Sequence, residues 1–239
     1  VLKTRFWKAI AASSISPFLF LVAFGYGIGR FALVDGVDYL SFLIPGLIAM
    51  SSLNQSYGIA VDINIAKSYF QIFDEYLLAP VGRWEIVTGE MLYGVIKGLI
   101  PVVIIITYAL IAGVNIKLSL MFFPVMFIHM VIFSLLGIII ALAVKNHGDQ
   151  MMVNTFFITP MIFLSGTFYP VDKMPALAQV FAYCSPLTYS TQLLRYSLIG
   201  TPCNVLLNMS VLCLICVVLF FVAFFSCFYF LNCLFCRLC

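Results

Sequence analysis

Six long apolar runs, separated by short polar breaks, constrain the fold of this chain more than any other feature. In a lipid bilayer each backbone N–H and C=O group must find its partner within its own segment, so an apolar run of about 20 residues predicts a membrane-spanning helix. A water-soluble fold is excluded because only 9% of the 239 residues are charged, too few to cover a globule of this size. A transmembrane barrel would require alternating segments of about ten residues, which the sequence lacks.

The spans are predicted at residues 9–29, 39–61, 91–113, 118–144, 151–169 and 205–231. No internal repeat or low-complexity linker divides the chain, so residues 1–239 are predicted to form one transmembrane domain. The predicted fold class is therefore an all-α integral membrane protein with six transmembrane helices. The net charge of +3 comes from scattered cations, without the dense basic patch that a nucleic-acid partner requires.

Cationic residues in short loops set the orientation of a membrane protein, because they are retained on the cytoplasmic side. One side of the predicted bundle collects Lys3, Arg5, Lys8, Lys67, Arg83, Lys145 and Arg237. The other side has Arg30, Lys117, Lys173 and Arg195. This bias predicts a multi-pass protein of the inner (cytoplasmic) membrane, with both termini and the loop at residues 62–90 in the cytoplasm.

Residues 62–90, here named the acidic loop, hold five of the nine acidic residues of the chain. These are Asp62, Asp74, Glu75, Glu85 and Glu90. On a helical wheel, residues 65–78 place apolar side chains on one side and mostly polar side chains on the other, which predicts an amphipathic helix along the membrane surface. Pro80 ends this helix, and a second helix is predicted to start at Arg83 or Trp84.

Two interpretations of the acidic loop stay open on its residues alone. Charge clusters usually mark a solvated face, which would make the loop an ordinary surface connection. Alternatively, the loop is a docking surface for a soluble partner with basic residues. The second interpretation is favoured because an interfacial helix normally carries Lys or Arg toward anionic lipid, whereas this loop carries Asp and Glu.

A second long connection, at residues 169–203 on the predicted outer side, is cut by prolines into pieces shorter than a span. Two short helices are predicted at residues 174–183 and 187–198, joined at Ser185–Pro186. This helical hairpin either dips into the outer leaflet and caps an exit path, or it is an external loop with two surface helices. Irregular backbone at membrane depth requires surrounding protein or water.

The sequence offers no residues for catalysis or nucleotide binding. It has no G-x-x-x-x-G-K-[ST] string, so the chain itself is not predicted to bind nucleotide. Neither His129 nor His147 has a Cys or an acid at ligand spacing, which argues against a metal site or a catalytic triad. His129 is instead predicted to donate a hydrogen bond in helix packing. We therefore predict no catalytic residue, cofactor or metal in this chain, which is not an enzyme.

Six of the eight cysteines lie within residues 213–239. The C-x-x-C-x-x-C string at residues 233–239 lacks a fourth ligand, so apolar packing is favoured over a metal or cluster, with lipidation of Cys236 or Cys239 as a further alternative. Cys184 and Cys203 flank the predicted helical hairpin, where they are either free thiols or a disulfide formed in an oxidising compartment.

Polar side chains inside the predicted spans have two interpretations each. Lys97 either reaches the cytoplasmic interface, where Glu90 is a candidate partner, or contacts a substrate or a lipid headgroup. The polar run in the second span needs hydrogen-bond partners in lipid, so it either joins helices or lines the path between the two halves. The candidates for the translocation path are Asn54, Gln55, Tyr57 and Lys97.

Four strings of the sequence carry a family pattern. They are 42-FLIPGLIAMSSLNQSYGIAVD-62, 75-EYLLAPVGRWEIVTGEMLYGVIKG-98, 163-FLSGTFYPVDKMP-175 and 185-SPLTYSTQLLRYSLIG-200. In order and spacing they resemble the type-2 permease subunits of ATP-binding-cassette (ABC) exporters, in particular those of the nodulation-factor and drug-export type. The resemblance covers residues 6–230, almost the whole chain.

The resemblance implies a six-span half-transporter that works as a homo- or heterodimer with two copies of a separate ATPase subunit, which binds ATP and Mg. In this family the cytoplasmic loop between spans two and three carries a coupling helix that docks on the ATPase. Carried over to this sequence, the ATPase-coupling residues are Asp74, Glu75, Tyr76, Ala79, Pro80, Val81 and Arg83. The helical hairpin at residues 170–203 corresponds to the family's external helices above the translocation path.

Both ends of the chain invite comparison with the family. Residues 1–8 look like the tail of the family's interfacial N-terminal helix, part of which is expected to be missing. The segment 227-CFYFLNCLFCRLC-239 departs from the family, because Arg237 is its only inner anchor and family tails are more polar and basic.

The predicted function is outward movement of an amphiphilic or hydrophobic substrate, such as a lipid-linked saccharide, a lipid or a drug-like molecule, in contact with membrane lipid. The resemblance implies alternating access driven by the ATPase subunits. The alternative is an ATP-independent channel or secondary transporter, which would need ionisable residues facing the bundle interior. Of the Lys, Arg, His, Asp and Glu side chains, only Lys97 and His129 lie clearly within the predicted spans.

Overall fold

The computed structural model of the chain describes residues 15–28, 33–34, 36–70, 72, 75, 81–114 and 116–238. Over these residues the fold is a helical bundle with one short β-hairpin. The first helix, α1, includes Ile15–Gly25 and takes π geometry over Leu21–Ile28. In the hairpin, β1 (Leu33–Val34) pairs antiparallel with β2 (Val37–Asp38), and Gly36 in the turn has a φ of 79° that favours glycine.

The helices that follow the hairpin are α2 (Tyr39–Tyr57), α3 (Ile59–Ser68), α4 (Arg83–Ile111), α5 (Phe122–Ala143), α6 (His147–Val153), α7 (Thr159–Leu164), α8 (Ala176–Cys184), α9 (Pro186–Ile199) and α10 (Val205–Leu238). A π-helical segment, Asn154–Ile158, joins α6 to α7. A short 3-10 helix, Val171–Lys173, precedes α8. Apart from the short β-hairpin, the described residues agree with the predicted all-α class.

Three of the described helices are long and apolar enough to cross a membrane by length and composition. They are α4, α5 and the part of α10 at Val205–Asn232. The other three predicted spans fall on α1, on α2 and on the α6–α7 segment, which are shorter, carry polar runs or are interrupted by π geometry. The count of six membrane spans therefore remains a prediction, and residues 9–14 of the first span lie outside the described part of the chain.

Helix α2 forms the centre of the bundle, where it packs against α4, α5 and α9. Its residues Leu43, Leu47 and Leu53 each expose 0% of their surface. A helix that is hydrophobic all round is either enclosed by protein or faces lipid, and the bundle has both kinds. Helix α5 is mostly buried, whereas α10 packs on α5 and α9 and exposes most of its remaining surface, as expected for a helix that faces lipid.

Two glycines on α4 let its neighbours approach closely. Gly94 and Gly98 form a G-x-x-x-G pair on the buried face of α4. A Cβ atom at Gly94 would overlap Ser134 Oγ of α5, and a Cβ atom at Gly98 would overlap Ser56 Oγ of α2. Small residues at this spacing are typical of helix contacts in membranes. The G-x-x-x-G spacing is therefore the signal for this contact in the sequence.

The bundle has two ends, each of which carries one of the two long connections. One end, here named the hairpin end, carries the β-hairpin, the start of α2 and the helical hairpin formed by α8 and α9. There the Lys117 N–H donates to Leu198 O at 3.0 Å. The Tyr39 hydroxyl at this end donates to Phe168 O, also at 3.0 Å. At the loop end lie the end of α3, the start of α4 and the end of α5, where Lys67 Nζ donates to Val144 O at 2.6 Å.

Candidate functional site

The acidic loop includes most of α3, the connection that follows it and the first two turns of α4. Helix α3 follows α2 after a turn at Gly58 and ends before Tyr69 and Phe70, which expose 76% and 68% of their surfaces. The predicted amphipathic helix at residues 65–78 thus overlaps the last turn of α3. Most of its remaining residues lie outside the described part of the chain, so a helix of that length stays a prediction.

The predicted ATPase-coupling residues are described only in part. Glu75 and Val81 are exposed, and Arg83 is partly buried. Asp74, Tyr76, Ala79 and Pro80 lie outside the described residues. No contact with an ATPase is present in the structure, so the coupling role of the whole set stays a prediction.

Helix α4 starts at Arg83, which confirms the predicted start of the second helix. Glu85 stabilises this start, because its Oε2 atom accepts a hydrogen bond from the Gly82 N–H at 2.7 Å. A carboxylate three residues into a helix satisfies an otherwise unpaired N–H and interacts favourably with the helix dipole. Glu85, one of the five acids of the loop, therefore has a structural role within the chain.

The first turn of α4 is held against α10. The Arg83 Nη2 atom donates to Asn232 Oδ1 at 3.2 Å, and the guanidinium lies 4.2 Å from the centre of the Phe228 ring. The Trp84 ring stacks on Phe224 with 3.9 Å between the ring centres. These contacts fix the end of the acidic loop to the long lipid-facing helix.

Helix α3 is fastened to α4 by an ion pair. Lys97 Nζ lies 2.7 Å from Asp62 Oδ2, and the Tyr93 hydroxyl lies 3.4 Å from the same oxygen. The predicted candidate partner of Lys97 was Glu90, and the structure corrects this prediction. Glu90 is seven residues away on the same helix, which is about 10 Å along the axis, whereas α3 brings Asp62 across to Lys97.

Helix α3 is also fastened to the end of α5. Lys67 Nζ donates to Ala141 O and to Val144 O, at 2.6 Å each. The last carbonyls of a helix have no partners within it, and a cation placed there interacts favourably with the helix dipole. Burial lowers the pKa of Lys67 from its usual value. Lys67 was counted from the sequence as a loop cation, and its contact with α5 depends on packing.

The candidates for the translocation path lie in three different environments. The Tyr57 hydroxyl donates to Asn154 Oδ1 at 2.6 Å, so Tyr57 joins α2 to the π-helical segment between α6 and α7. Asn54 and Gln55 line a cavity of about 130 Å³ between α1, α2 and α4. Lys97 belongs to the ion pair at the loop end. A role of all four residues in the path stays a prediction.

At the hairpin end, α8 and α9 match the two predicted short helices and their junction at Ser185–Pro186. The Ser185 hydroxyl accepts a hydrogen bond from the Leu187 N–H at 3.2 Å, and Pro186 occupies the first helical position. Helix α9 ends at Gly200, whose φ of 76° suits a glycine cap. Because α9 is packed against α2, α5 and α10, it is not a surface helix, which favours the interpretation of an inserted hairpin.

Arg195 on α9 is buried, with 6% of its surface exposed. Its Nη2 atom donates to Gly166 O at 2.6 Å and to Thr167 O at 3.1 Å, and its Nε atom lies 3.4 Å from Phe42 O. From the sequence this residue was counted as an outer loop cation, and its burial corrects that interpretation. The signal was its place on the helical face that also carries Leu187, Thr191 and Leu198, all buried.

His129 has the predicted role in helix packing. It exposes 0% of its surface, with Nδ1 2.9 Å from Ser190 Oγ and Nε2 3.1 Å from Ala49 O. The two nitrogens thus join α5 to α9 and to α2. Cys184 and Cys203 are free thiols, so the alternative of a disulfide between them is wrong. Within the described ranges, no three His, Cys, Asp or Glu side chains come together to hold a metal.

These features define a helical integral membrane protein with the acidic loop at one end and a packed helical hairpin at the other. The family model described as ABC-2 type transporter matches residues 2–199. The chain is 32% identical over 226 residues to nodulation protein J of Rhizobium leguminosarum bv. viciae, covering 91% of this chain and 87% of that protein. It is 29% identical over 210 residues to the inner membrane transport permease YadH of Escherichia coli strain K12, covering 82% and 78%.

The chain therefore belongs to the ABC-2 type transporter family, which confirms the resemblance carried by the four strings. Membership makes it the membrane subunit of an ABC transporter. It also implies an ABC ATPase subunit as partner. The Escherichia coli relative is named a transport permease, which is consistent with a transport subunit.

Proposed function

We propose that this chain is the permease subunit of an ABC exporter that moves an amphiphilic or hydrophobic substrate outward, such as a lipid, a lipid-linked saccharide or a drug-like molecule. The observation that carries the proposal is membership of the ABC-2 type transporter family. Two ATPase subunits bind ATP and Mg, and they drive a homo- or heterodimer of permease subunits by alternating access. The lack of a phosphate-binding string in this chain supports a separate source of energy.

The proposed location is the inner membrane, with both termini and the loop end in the cytoplasm and the hairpin end outside. The Escherichia coli relative is named an inner membrane transport permease, which supports this location. The orientation is supported by the positions of the cations, because Lys67 and Arg83 lie at the loop end. Positive residues in short loops are retained in the cytoplasm.

The acidic loop is proposed to bind the ATPase through Asp74, Glu75, Tyr76, Ala79, Pro80, Val81 and Arg83. The exposure of Glu75 and Val81 supports a contact with a second protein. A partner shifts a conformational equilibrium only through different affinities for the two states. The anchors of α3 on α5 and of α4 on α10 support transmission, because a movement of the loop must then displace the ends of these helices.

The substrate path is proposed to pass along α2, with Asn54, Gln55, Tyr57 and Lys97 as its polar lining. The cavity between α1, α2 and α4 supports a place for Asn54 and Gln55 in this path. The rival function, an ion-coupled transporter or channel, needs ionisable groups that are free to exchange ions or protons inside the bundle. His129 and Arg195 are used instead as hydrogen-bonding residues between helices, which favours the exporter.

The experiment that tests the proposal is purification of the tagged chain from cells that also express its ATPase subunit, identified from the neighbouring reading frames. The double variant Asp74→Lys/Glu75→Lys is expected to lose the bound ATPase, because basic groups on the partner would meet like charges. The matched control is Asp172→Lys, a charge reversal at the hairpin end, which is expected to retain it. Unchanged retention in the double variant would overturn the coupling assignment.

A further inference from the structure

Asp62 and Lys97 connect the two helices that enter and leave the acidic loop. Asp62 lies on α3, and Lys97 lies about four turns into α4. Their side chains approach to 2.7 Å and expose 44% and 25% of their surfaces, respectively. Tyr93 supports the pair from α4, with its hydroxyl 3.4 Å from Asp62 Oδ2 and its ring centre 5.5 Å from Lys97 Nζ.

The partial exposure of the pair decides what it can do. A buried ion pair that opens leaves uncompensated charges in an apolar interior, which makes it a permanent connection. A partly exposed pair lies outside the apolar interior, and it adds little to stability. The Asp62–Lys97 pair is therefore suited to fixing the relative position of the two helices, with only a small effect on the stability of the bundle.

The neighbouring contacts show which parts of the molecule such a connection reaches. The same helix α3 holds the end of α5 through Lys67, and the first turn of α4 holds α10 through Arg83 and Trp84. A displacement of the loop therefore reaches α5 and α10 directly. A direct link between α3 and α4 helps these two displacements to occur together, and the ion pair is such a link at the level of Lys97.

We propose that Asp62 and Lys97 are positioning residues that make α3 and α4 move as one unit when the acidic loop is displaced. The inference rests on the proposed function, because it takes the ATPase as the source of the displacement. Glu90 and Glu85 line the same groove, of about 410 Å³, beside Asp62. Glu85 caps α4, and Glu90 is the alternative acid for Lys97, so it supplies the control.

The test uses the complex of the full chain with its ATPase subunit, in liposomes of phosphatidylethanolamine and phosphatidylglycerol. Spin-labelled amino acids at positions 65 on α3 and 96 on α4, whose native residues Ile65 and Ile96 are exposed, report the distance between the helices with and without ATP. A second readout is the ATPase rate of the complex relative to the isolated ATPase subunit. Neither readout requires the substrate to be identified.

The wild-type complex is expected to keep one narrow distance distribution in both nucleotide states. Asp62→Lys or Lys97→Asp alone is expected to broaden that distribution with ATP and to reduce the permease-dependent change in ATPase rate by roughly fivefold or more. The double variant Asp62→Lys/Lys97→Asp restores the pair with its charges exchanged, and it is expected to recover both readouts. Glu90→Gln is expected to behave as the wild type.

The inference is overturned if the single reversals leave both readouts unchanged, or if the exchanged pair fails to recover while Lys97→Arg and Asp62→Glu remain active. A reversal that does not fold is replaced by Asp62→Asn, judged by the same two readouts. Failure of the proposed function looks different, because the wild-type chain would then retain no ATPase at all. If the wild-type complex retains its ATPase and the variants stay coupled, the role proposed for the ion pair is rejected and the proposed function is not.

Discussion

The hairpin end and the loop end of this permease both hold cationic side chains, in opposite environments. Arg195 at the hairpin end is buried and donates to backbone carbonyls of the turn at residues 166–167. Lys97 at the loop end is partly exposed and pairs with a carboxylate on another helix. The first arrangement ties three segments of backbone into one geometry, whereas the second joins two side chains that are partly exposed.

This difference shows that charge alone does not mark the functional end of a membrane protein. The hairpin end forms a fixed frame, because α9 packs against three helices. Helix α9 also contributes the buried Arg195 and Ser190, the partner of His129. The loop end combines exposed side chains with a partly exposed ion pair. We expect the transport cycle to move the loop end against the frame that the hairpin end provides.

The largest expected effect is that of Arg195→Leu. This change removes the donors to Gly166 O and Thr167 O, and hydrogen bonds to a charged donor contribute about 1.5 kcal/mol each. The free energy of unfolding in detergent should fall by about 3 kcal/mol, measured by denaturant unfolding of the purified chain. Arg195→Lys keeps the charge but loses the planar guanidinium group. Its free energy of unfolding should lie between those of the wild type and Arg195→Leu. Full stability of Arg195→Leu would contradict the frame.

A smaller loss is expected for Gly98→Ala. The added Cβ overlaps Ser56 Oγ of α2, so α2 and α4 must separate, at a cost of about 2 kcal/mol. Gly89→Ala is the matched control on the same helix, because a Cβ there meets nothing within 4 Å. The change in melting temperature relative to the wild type should therefore differ in sign or size between the two variants. Equal melting temperatures would mean that the close α2–α4 contact does not exist.

A further step down is expected for Tyr57→Phe, which removes only the hydroxyl that donates to Asn154 Oδ1. Loss of one such hydrogen bond should cost about 1 kcal/mol in the free energy of unfolding. A companion variant, Asn154→Ala, should cost about the same, and the double variant should cost little more than either alone. Strict additivity of the two effects would show that the two side chains do not interact.

The smallest effect on stability is expected for Lys97→Gln. The pair that it breaks is partly exposed, and such pairs contribute about 0.5 kcal/mol. The melting temperature should therefore stay close to that of the wild type, even though coupling to the ATPase changes. A loss as large as that of Arg195→Leu would erase the distinction between the two ends.

Local signals in the sequence predicted several element boundaries. Ser185 and Pro186 gave the start of α9, and the residues after Pro80 gave the start of α4 at Arg83, because capping and proline chemistry act within a few residues. The family pattern was equally accessible, since four strings in order are matched by the family model. The packing role of His129 followed from a lone polar side chain in an apolar helix.

Other features depend on how distant helices pack, which no local pattern encodes. The partner of Lys97 is Asp62, on a helix that meets α4 only in the folded bundle, whereas Glu90 was merely close in sequence. Arg195 was counted among the outer-side cations, although it lies on one of the two helices predicted for the helical hairpin, and its burial follows from the packing of that helix in the bundle. Both errors arose because charged side chains were judged by their distance along the sequence from the end of a span, and not by their place in the folded bundle.

The central claim is that the acidic loop is the site through which an ATPase drives this permease. Site-specific photo-cross-linking tests this claim most directly. A photoreactive amino acid would replace Glu75 in the loop or Leu177 on α8, a residue that exposes 81% of its surface at the opposite end. In cells that express both subunits, position 75 should yield an adduct with the ATPase and position 177 should yield none. An adduct from position 177 with none from position 75 would contradict the account.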